Sequence, residues 1–533
     1  RFGTVKVFGI ELGGQGMDLK KQNIRMRRRS CKSKLQVTLE DDFNVPDTKP
    51  DVERIVTGEG RVEIAETNLL NGKLLVKGIL HFDMLYISHE SQIPVHSIQG
   101  KIEFDEMINM DNLQEENDCK VKWELEDINI SLINSRKISV KSLVTIEACA
   151  WEEYEEPVAV DKEDGENAPC RYQDMDVTEL VLAKKDILRL KENFHLPAGK
   201  PNINQILYYD ISLHGVEMRA QEGKILVRGE MLLFVMYSTQ EEENQIAYYE
   251  GEQSFYSDIP CESCKENMVL QIDTELQSKD VQIKQDEDGE ERGIEAEFAM
   301  NLDFCLYEEK QMRYLQDMYS LEKQLQLKRI KIPFRHLVMK NTSQKRINEQ
   351  LLLETPKNPI LQICHSRGTI QLDEVEWKDN GISVEGSVEI KIIYVGEQDE
   401  WPVGEIKVSV PFSHIIEGVG EKENKMFEVH PQLDQLSVML SGKDKAEVKL
   451  TLSLETVIFE MMEYDMLDSV EEENYDEKYI EQLPDMVGYR VQQQEDLWDV
   501  AKKFCTTEEA IRELNHLGDK KIEVGDKILL ARG

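Results

Sequence analysis

The chain has 533 residues, more than one hydrophobic core serves, which sets an expectation of three or four domains. Its 64 Lys and Arg stand against 104 Asp and Glu, a formal net charge of −40 that repels the phosphate backbone of nucleic acid and an anionic membrane surface. Hydrophobic residues at 40% suffice for packed cores, and no run of eighteen apolar residues exists to cross a bilayer as a helix, so neither a nucleic-acid partner nor a transmembrane segment is expected.

The first residue is Arg1 and the first methionine Met17, so residues 1–16 read as an upstream extension or a translated leader. Lys20, Lys21, Arg25, Arg27, Arg28 and Arg29 follow without the apolar stretch of a secretory signal, and export by that route is not expected. Residues 1–33 are assigned to an N-terminal extension whose basic run is a solvated tail. The nine cysteines are an odd number without dense spacing, which suits a reducing compartment. Cys261 and Cys264 form a lone C-x-x-C, read as part of a loop and not as a metal or redox pair.

A long repeat follows. Val76-Lys77-Gly78 with Tyr86, Val227-Arg228-Gly229 with Tyr237, and Val384-Glu385-Gly386 with Tyr394 share V-x-G and a tyrosine eight residues on. Their glycines lie 151 and 157 residues apart, a domain-sized period. Between glycine and tyrosine the alternation of apolar residues predicts a half-buried strand. Upstream, Val45-Pro46-Asp47-Thr48-Lys49-Pro50 matches Leu196-Pro197-Ala198-Gly199-Lys200-Pro201, with a shortened echo at Pro359-Ile360-Leu361. Proline before an i, i+3 apolar pair predicts a short helix opening each copy. Downstream, Cys149-Ala150-Trp151 matches Cys305-Leu306-Tyr307, and Val457-Ile458-Phe459 stands in the third copy. Valine at a cysteine position points to core packing.

The copies are assigned to residues 34–170, 171–327 and 328–464, as strand-rich domains closed either as sandwiches or as barrels. The acidic stretch from Gln285 to Glu291 reads as a hairpin or loop insertion, and residues 465–487 as an extended, self-repelling linker. Proteolysis is therefore expected near residues about 170, 328 and 475.

Residues 488–531 form the last unit. Tyr489-Arg490-Val491 alternates as a strand, and Leu497, Val500, Ala501 and Phe504 share one helix face behind an N-cap at Asp496. Thr506 and Glu509 have capping-box spacing for a second helix that would bury Ala510, Ile511 and Leu514. A turn and a strand over Val524–Leu530 close a β-α-α-β order. This order, with Y-x-V, L-W-x-V-A-x-x-F, I-x-x-L-N and I-x-V-G-D-K-I-L, closely resembles a LysM domain. The resemblance implies a βααβ fold that binds N-acetylglucosamine-containing glycans. It places the groove between the loop before the first helix (Gln494, Glu495, Asp496, Leu497, with Trp498 beside it) and the loop after the second (Leu517, Gly518, Asp519, Lys520), with Ile522 alongside. Gln494 stands where the family usually has glycine, which argues against standard glycan binding.

Three V-x-G-x7-Y copies with V-P-D-x-K-P segments, ending in one LysM-like unit, resemble SipL-type spore coat morphogenetic proteins of clostridial spore-formers, whose repeats are called SPOCS domains. The resemblance covers nearly the whole chain after Met17. It implies a protein in the mother-cell cytoplasm, at the forespore surface, that binds the ATPase of the coat's basement layer. The fold expected is multidomain and mainly β, followed by a small α+β LysM unit.

G-x-x-x-x-G-K-[ST], H-E-x-x-H and G-x-S-x-G are absent, and the ten histidines show no i, i+4 pairing for a metal. With 104 acidic residues, carboxylate pairs arise by chance and do not point to glycoside hydrolysis. The expectation is a protein without enzymatic activity, catalytic residues, metal or cofactor. Two readings stay open: a coat assembly protein, and a peptidoglycan-binding wall protein anchored by its LysM domain.

Overall fold

Apolar alternation is expressed as strand throughout the three repeats of the computed structural model, which describes residues 16–91, 93–163, 168–239, 245–353, 359–379, 381–398, 400–418, 420–442, 444–474 and 486–531. After the short β1 (Gly16–Met17), the first repeat comprises β2 (Leu19–Asn44), β3 (Arg54–Leu70), β4 (Lys73–Ile87), β5 (Val95–Asn109), β6 (Asp118–Asn134) and β7 (Lys137–Lys162). The second has β8 (Cys170–His195), β9 (Gln205–Gln221), β10 (Lys224–Ser238), β11 (Ile246–Pro260), β12 (Val269–Gln285) and β13 (Glu291–Met318). The third has β14 (Lys323–Leu352), β15 (Ile360–Lys378), β16 (Gly381–Gly396), β17 (Val403–Ile416), β18 (Lys425–Leu440) and β19 (Lys445–Asn474).

Each repeat is a sandwich of two antiparallel sheets, which resolves the choice between sandwich and barrel. In the first, the β3-β4-β5 meander packs on the sheet ordered β2-β7-β6, and the other repeats follow the same plan. Val76, Leu80, Phe82 and Tyr86 of β4 share one core with Val140, Val144, Ile146 and Ala148 of β7. The V-x-G glycine has a packing reason. Gly78 lies opposite Phe104, and a Cβ there would sit 2.3 Å from that ring.

The prolines do not start helices. Lys49 N–H closes a turn on the Pro46 carbonyl at 2.9 Å, and the chain then runs into β3. Here the proline ring fixes a turn instead of a first helical residue. The buried Tyr86 donates its hydroxyl to the Pro50 carbonyl at 3.1 Å, as Tyr237 does to Pro201 at 3.1 Å. Arg136 donates to the carbonyls of Lys49, Val45 and Pro46 at 2.8–3.0 Å, and Arg292 repeats this on Lys200 and Pro197. The proline segment, the tyrosine and an arginine at the start of the last strand (Arg136 just before β7, Arg292 within β13) are thus one structural unit. The acidic stretch after Gln285 is the turn between β12 and β13, where the Asp286 carboxylate accepts from the backbone of Asp288 and Glu290.

The first and last strands of each repeat, antiparallel partners that are not consecutive in the chain, run on past the sandwich as long hairpin-like arms, and this corrects two expectations. The basic run at 20–29 belongs to β2, not to a tail. It lies against the acidic β7, with Arg25 on Glu153, Arg28 on Glu152 at 2.8 Å and Lys32 on Glu147 at 2.8 Å. Residues 465–474 belong to β19, not to a linker, while 1–15 and 475–485 lie outside the described residues. The proposed cut sites at Cys170 and Lys328 fall within strands. Ile24, Met26, Val158, Met175, Val177, Tyr314, Ile332, Phe334 and Met466, drawn from all three hairpins, pack into one apolar cluster.

The three repeats also close on one another at the meander end. Thr57, Tyr208 and His365 occupy matching positions, as do Glu59, Asp210 and Arg367, at the same spacings as the V-x-G glycines. Tyr208 donates to Glu59 at 2.6 Å, His365 lies 3.3 Å from Asp210, and Thr57 donates to Glu405. The second repeat thus contacts the first, the third the second, and the first the third. Lys391 pairs with Glu59 at 2.7 Å, while Lys279 and Arg367 flank Asp210 at 2.7 and 3.2 Å. Burial would raise the Glu59 carboxyl, but Lys391 and Arg367 outweigh it and bring it down to about 2. Beside this polar centre, Leu85, Ile87, Leu207, Phe234, Met236 and Ile393 form a further core shared by all three repeats.

The terminal unit has β20 (Met486–Arg490), α1 (Leu497–Lys503), α2 (Glu508–Asn515) and β21 (Lys527–Ala531), the expected βααβ order. Asp496 caps α1 in a box with Asp499. The cap of α2 is Thr507, whose hydroxyl accepts from Ala510 N–H at 3.1 Å, and not Thr506, which is buried. The one-residue shift leaves Ile511 buried, Leu514 half-buried and Ala510 exposed.

Candidate functional site: the groove of the terminal module

The first wall is the loop from Gln492 to Asp496. Gln494 has φ 66°, in the left-handed region that costs a residue with a Cβ roughly 1–2 kcal/mol. The Glu495 carboxylate gathers this loop. It accepts the Tyr489 hydroxyl at 2.7 Å, the Gln492 backbone N–H at 3.0 Å and the Lys503 ammonium at 3.2 Å. The bond from Tyr489, with those from Gln492 and Lys503, holds this carboxyl below the ordinary range. Asp496 completes the wall by accepting from Asp499 N–H at 3.0 Å and donating its own N–H back at 3.1 Å.

The second wall begins where His516, at φ 52°, ends α2. Leu517 N–H donates to the Arg512 carbonyl at 3.0 Å, and Lys520 N–H to Leu517 at 3.1 Å. The Arg512 guanidinium holds the loop from beneath, on the carbonyls of Gly518 at 2.8 Å and Lys520 at 3.2 Å. Asn515 clasps the closing strand, donating to the Leu529 carbonyl at 2.7 Å and accepting its N–H at 2.6 Å. Arg512 and Asn515 were not among the residues expected to build the groove, although the asparagine of I-x-x-L-N was visible in the sequence.

Gln494, Gly518, Asp519 and Lys520 are exposed on the two loops, and Glu495, Asp496, Leu517 and Ile522 are half-buried. Leu497 and Trp498 are buried, which corrects their reading as groove contacts. Leu497 fills the module's core. The Trp498 indole turns to the second repeat, where its N–H donates to Asp317 at 2.8 Å and its ring meets Tyr319 edge-on at 4.9 Å. Leu517 and Ile522 remain as the apolar side chains beside the loops.

Among the described residues, no group of three or more His, Cys, Asp or Glu is placed to hold a metal ion, and no helix is long and apolar enough to cross a membrane. Cys261 and Cys264 occupy a turn in which Cys264 N–H donates to the Cys261 carbonyl at 2.9 Å. Met110 and Leu113 build the same turn in the first repeat, at 3.2 Å, so the cysteines serve as apolar packing there.

Comparison with protein families matches the SipL, SPOCS domain at residues 51–133, 202–284 and 359–441, and the LysM domain at 489–531. Each SPOCS match covers the meander and the strand after it and leaves out the two long hairpin strands. Searches of curated proteins and of solved structures found no match.

Proposed function

From the SipL-type architecture of this chain, three SPOCS domains ahead of one LysM domain, we propose that it is a non-enzymatic assembly protein that binds the ATPase of the coat's basement layer and localises coat around the forespore. At the coarser level the chain is a sporulation coat-related protein with a LysM glycan-binding module, and both families present are binding domains without catalytic machinery. The finer reading places the protein in the mother-cell cytoplasm, at the forespore surface, with the LysM groove as the partner site.

The observation that carries the protein-partner reading is Gln494. A left-handed rim position, which favours glycine, is filled by an exposed glutamine. The module's own seven basic and nine acidic residues are nearly balanced, so it can approach an acidic partner without the repulsion of the whole chain. Leu517 and Ile522 supply an apolar contact between polar rims. The alternative, binding to peptidoglycan or another N-acetylglucosamine-containing glycan, is favoured by the match of the module to the LysM domain.

Replacing Leu517 and Ile522 together with Asp separates the two readings. Capture of the purified coat ATPase should fall at least tenfold while the repeats stay folded by circular dichroism. Binding to chitin oligomers and to peptidoglycan is measured on the same samples. Strong glycan binding by the wild-type chain, with ATPase capture unaffected in the variant, contradicts the assembly reading of this groove.

A further inference from the structure

Arg171 and Asp317 are cross-strand partners in β8 and β13, and both reach out of the second repeat to helix α1. Arg171 pairs with Asp496 at 2.9 Å, at the helix N-terminus, and Asp317 pairs with Lys502 at 2.7 Å, in its last turn. The two ion pairs have opposite polarity, so they match the helix in one direction only. Asp317 is also the acceptor of the Trp498 indole at 2.8 Å and of Arg329 at 2.9 Å. Burial disfavours its charge, but the bonds from Lys502 and Trp498 outweigh this and hold the carboxyl below its ordinary range. Beside it the Tyr319 hydroxyl donates to the Thr506 carbonyl at 2.8 Å, between the two helices. The other hairpins do not offer this anchor. The position matching Asp317 is Asp161 in β7, which accepts from Tyr172 at 2.8 Å, and Ser469 in β19.

Asp496 is thus three things at once: the cap of α1, the end of the first groove wall and the partner of Arg171. We propose that Asp317 is a positioning residue for the LysM groove. It fixes α1 from outside the module through Trp498 and Lys502, and with Arg171 on Asp496 it sets the loop from Gln492 to Asp496 in its ligand-ready shape. Trp498 then anchors the module to the body and is not a ligand contact. The proposal rests on the groove being the partner site, as argued above.

The test uses the full chain with Asp317→Ala, Asp317→Asn and Arg171→Gln. Two readouts are taken: amide hydrogen exchange at residues 492–496, and affinity for the purified coat ATPase and for an N-acetylglucosamine hexamer. Asp317→Ala should speed exchange at 492–496 at least tenfold and weaken the probe that the wild type binds about tenfold, while exchange in the repeat strands is unchanged. Asp317→Asn keeps an acceptor for the Trp498 indole and should fall between wild type and Ala. Arg171→Gln, a change at a half-exposed side chain that the fold tolerates, should shift both readouts the same way. If the wild type binds neither probe and exchange still rises in Asp317→Ala, the functional reading of the groove fails and the positioning of its wall stands. Wild-type exchange at 492–496 in Asp317→Ala, or faster exchange with unchanged affinity, overturns the proposal.

Discussion

Long side chains bridge the junction of the first and second repeats, whereas at the junction of the second and third a cleft lies beside the contacts that join them, such as Lys340 on the Leu270 carbonyl at 2.6 Å. At the first, Arg61 donates to the Gln277 carbonyl at 2.7 Å, Trp123 donates its indole N–H to Glu275, and Lys120 and Lys122 both pair with Asp273. At the second, the position of Arg61 is held by Ser212 and that of Trp123 by Thr274. The groups they would reach, Asp434 and Gln432, instead line a cleft with His214, Glu230, Glu252 and Arg346. The seams thus differ in the side chains that span them, while the apolar clusters at the meander ends and along the paired end strands are shared by all three repeats.

The largest effect is therefore expected at the centre, where both junctions meet. Asp210 is 1% exposed between Lys279, Arg367 and His365, so Asp210→Ala removes their shared buried partner and should cost about 3–5 kcal/mol in a urea melt. A smaller loss is expected when a long side chain of the first seam is replaced by the residue that stands at its position in the second. Trp123→Thr should cost about 1–3 kcal/mol, whereas Thr274→Ala at the exposed matching position should stay within about 0.5 kcal/mol. Equal effects at the two positions would erase the comparison.

The smallest expected effect is on pH dependence, and it has opposite sign at the two places. His365 stacks on Phe234 at 4.3 Å, and although burial disfavours its charge, the Asp210 carboxylate bonded at 3.3 Å and the Glu250 carboxylate 3.8 Å away raise its pKa. Its contribution to stability is full below an unfolded value of about 6.5 and is lost as pH rises through the higher folded value. His214, in the cleft, is held below its ordinary value by burial, which outweighs a bond to the Asp434 backbone. Its contribution is present above about 6.5 and is lost as pH falls through the lower folded value. Urea midpoints from about pH 5 to about pH 8 should flatten on the alkaline side in His365→Gln and on the acidic side in His214→Gln. The reverse pattern would contradict both placements.

Much of this was legible in the sequence because the repeat period preserves it. The V-x-G glycines, the tyrosines eight residues on and the βααβ module all fold as their spacing implies. What escaped depends on partners distant along the chain. The basic run of β2 looked like a tail because its acidic partner strand lies more than a hundred residues away. Residues 465–474 looked like a linker because the basic side chains of β14 that offset their charge, Lys323 on Glu472 and Lys328 on Asp468, are as remote. Trp498 shows an apolar helix position in the sequence, but nothing near it indicates that Asp317 and Tyr319 would claim it. The prolines misled for a local reason, since a proline that opens a helix and one that closes a turn share the same φ.

The central claim is that the three repeats form one closed unit and not three domains on linkers. Scanning calorimetry of the full chain, paired with limited proteolysis, tests it most directly. The shared clusters of the hairpins and of the meander ends predict a single unfolding transition for the repeats, with no early fragments ending near residues about 170 or 328. Three separable transitions, or stable fragments of single repeats released at low protease, would contradict it.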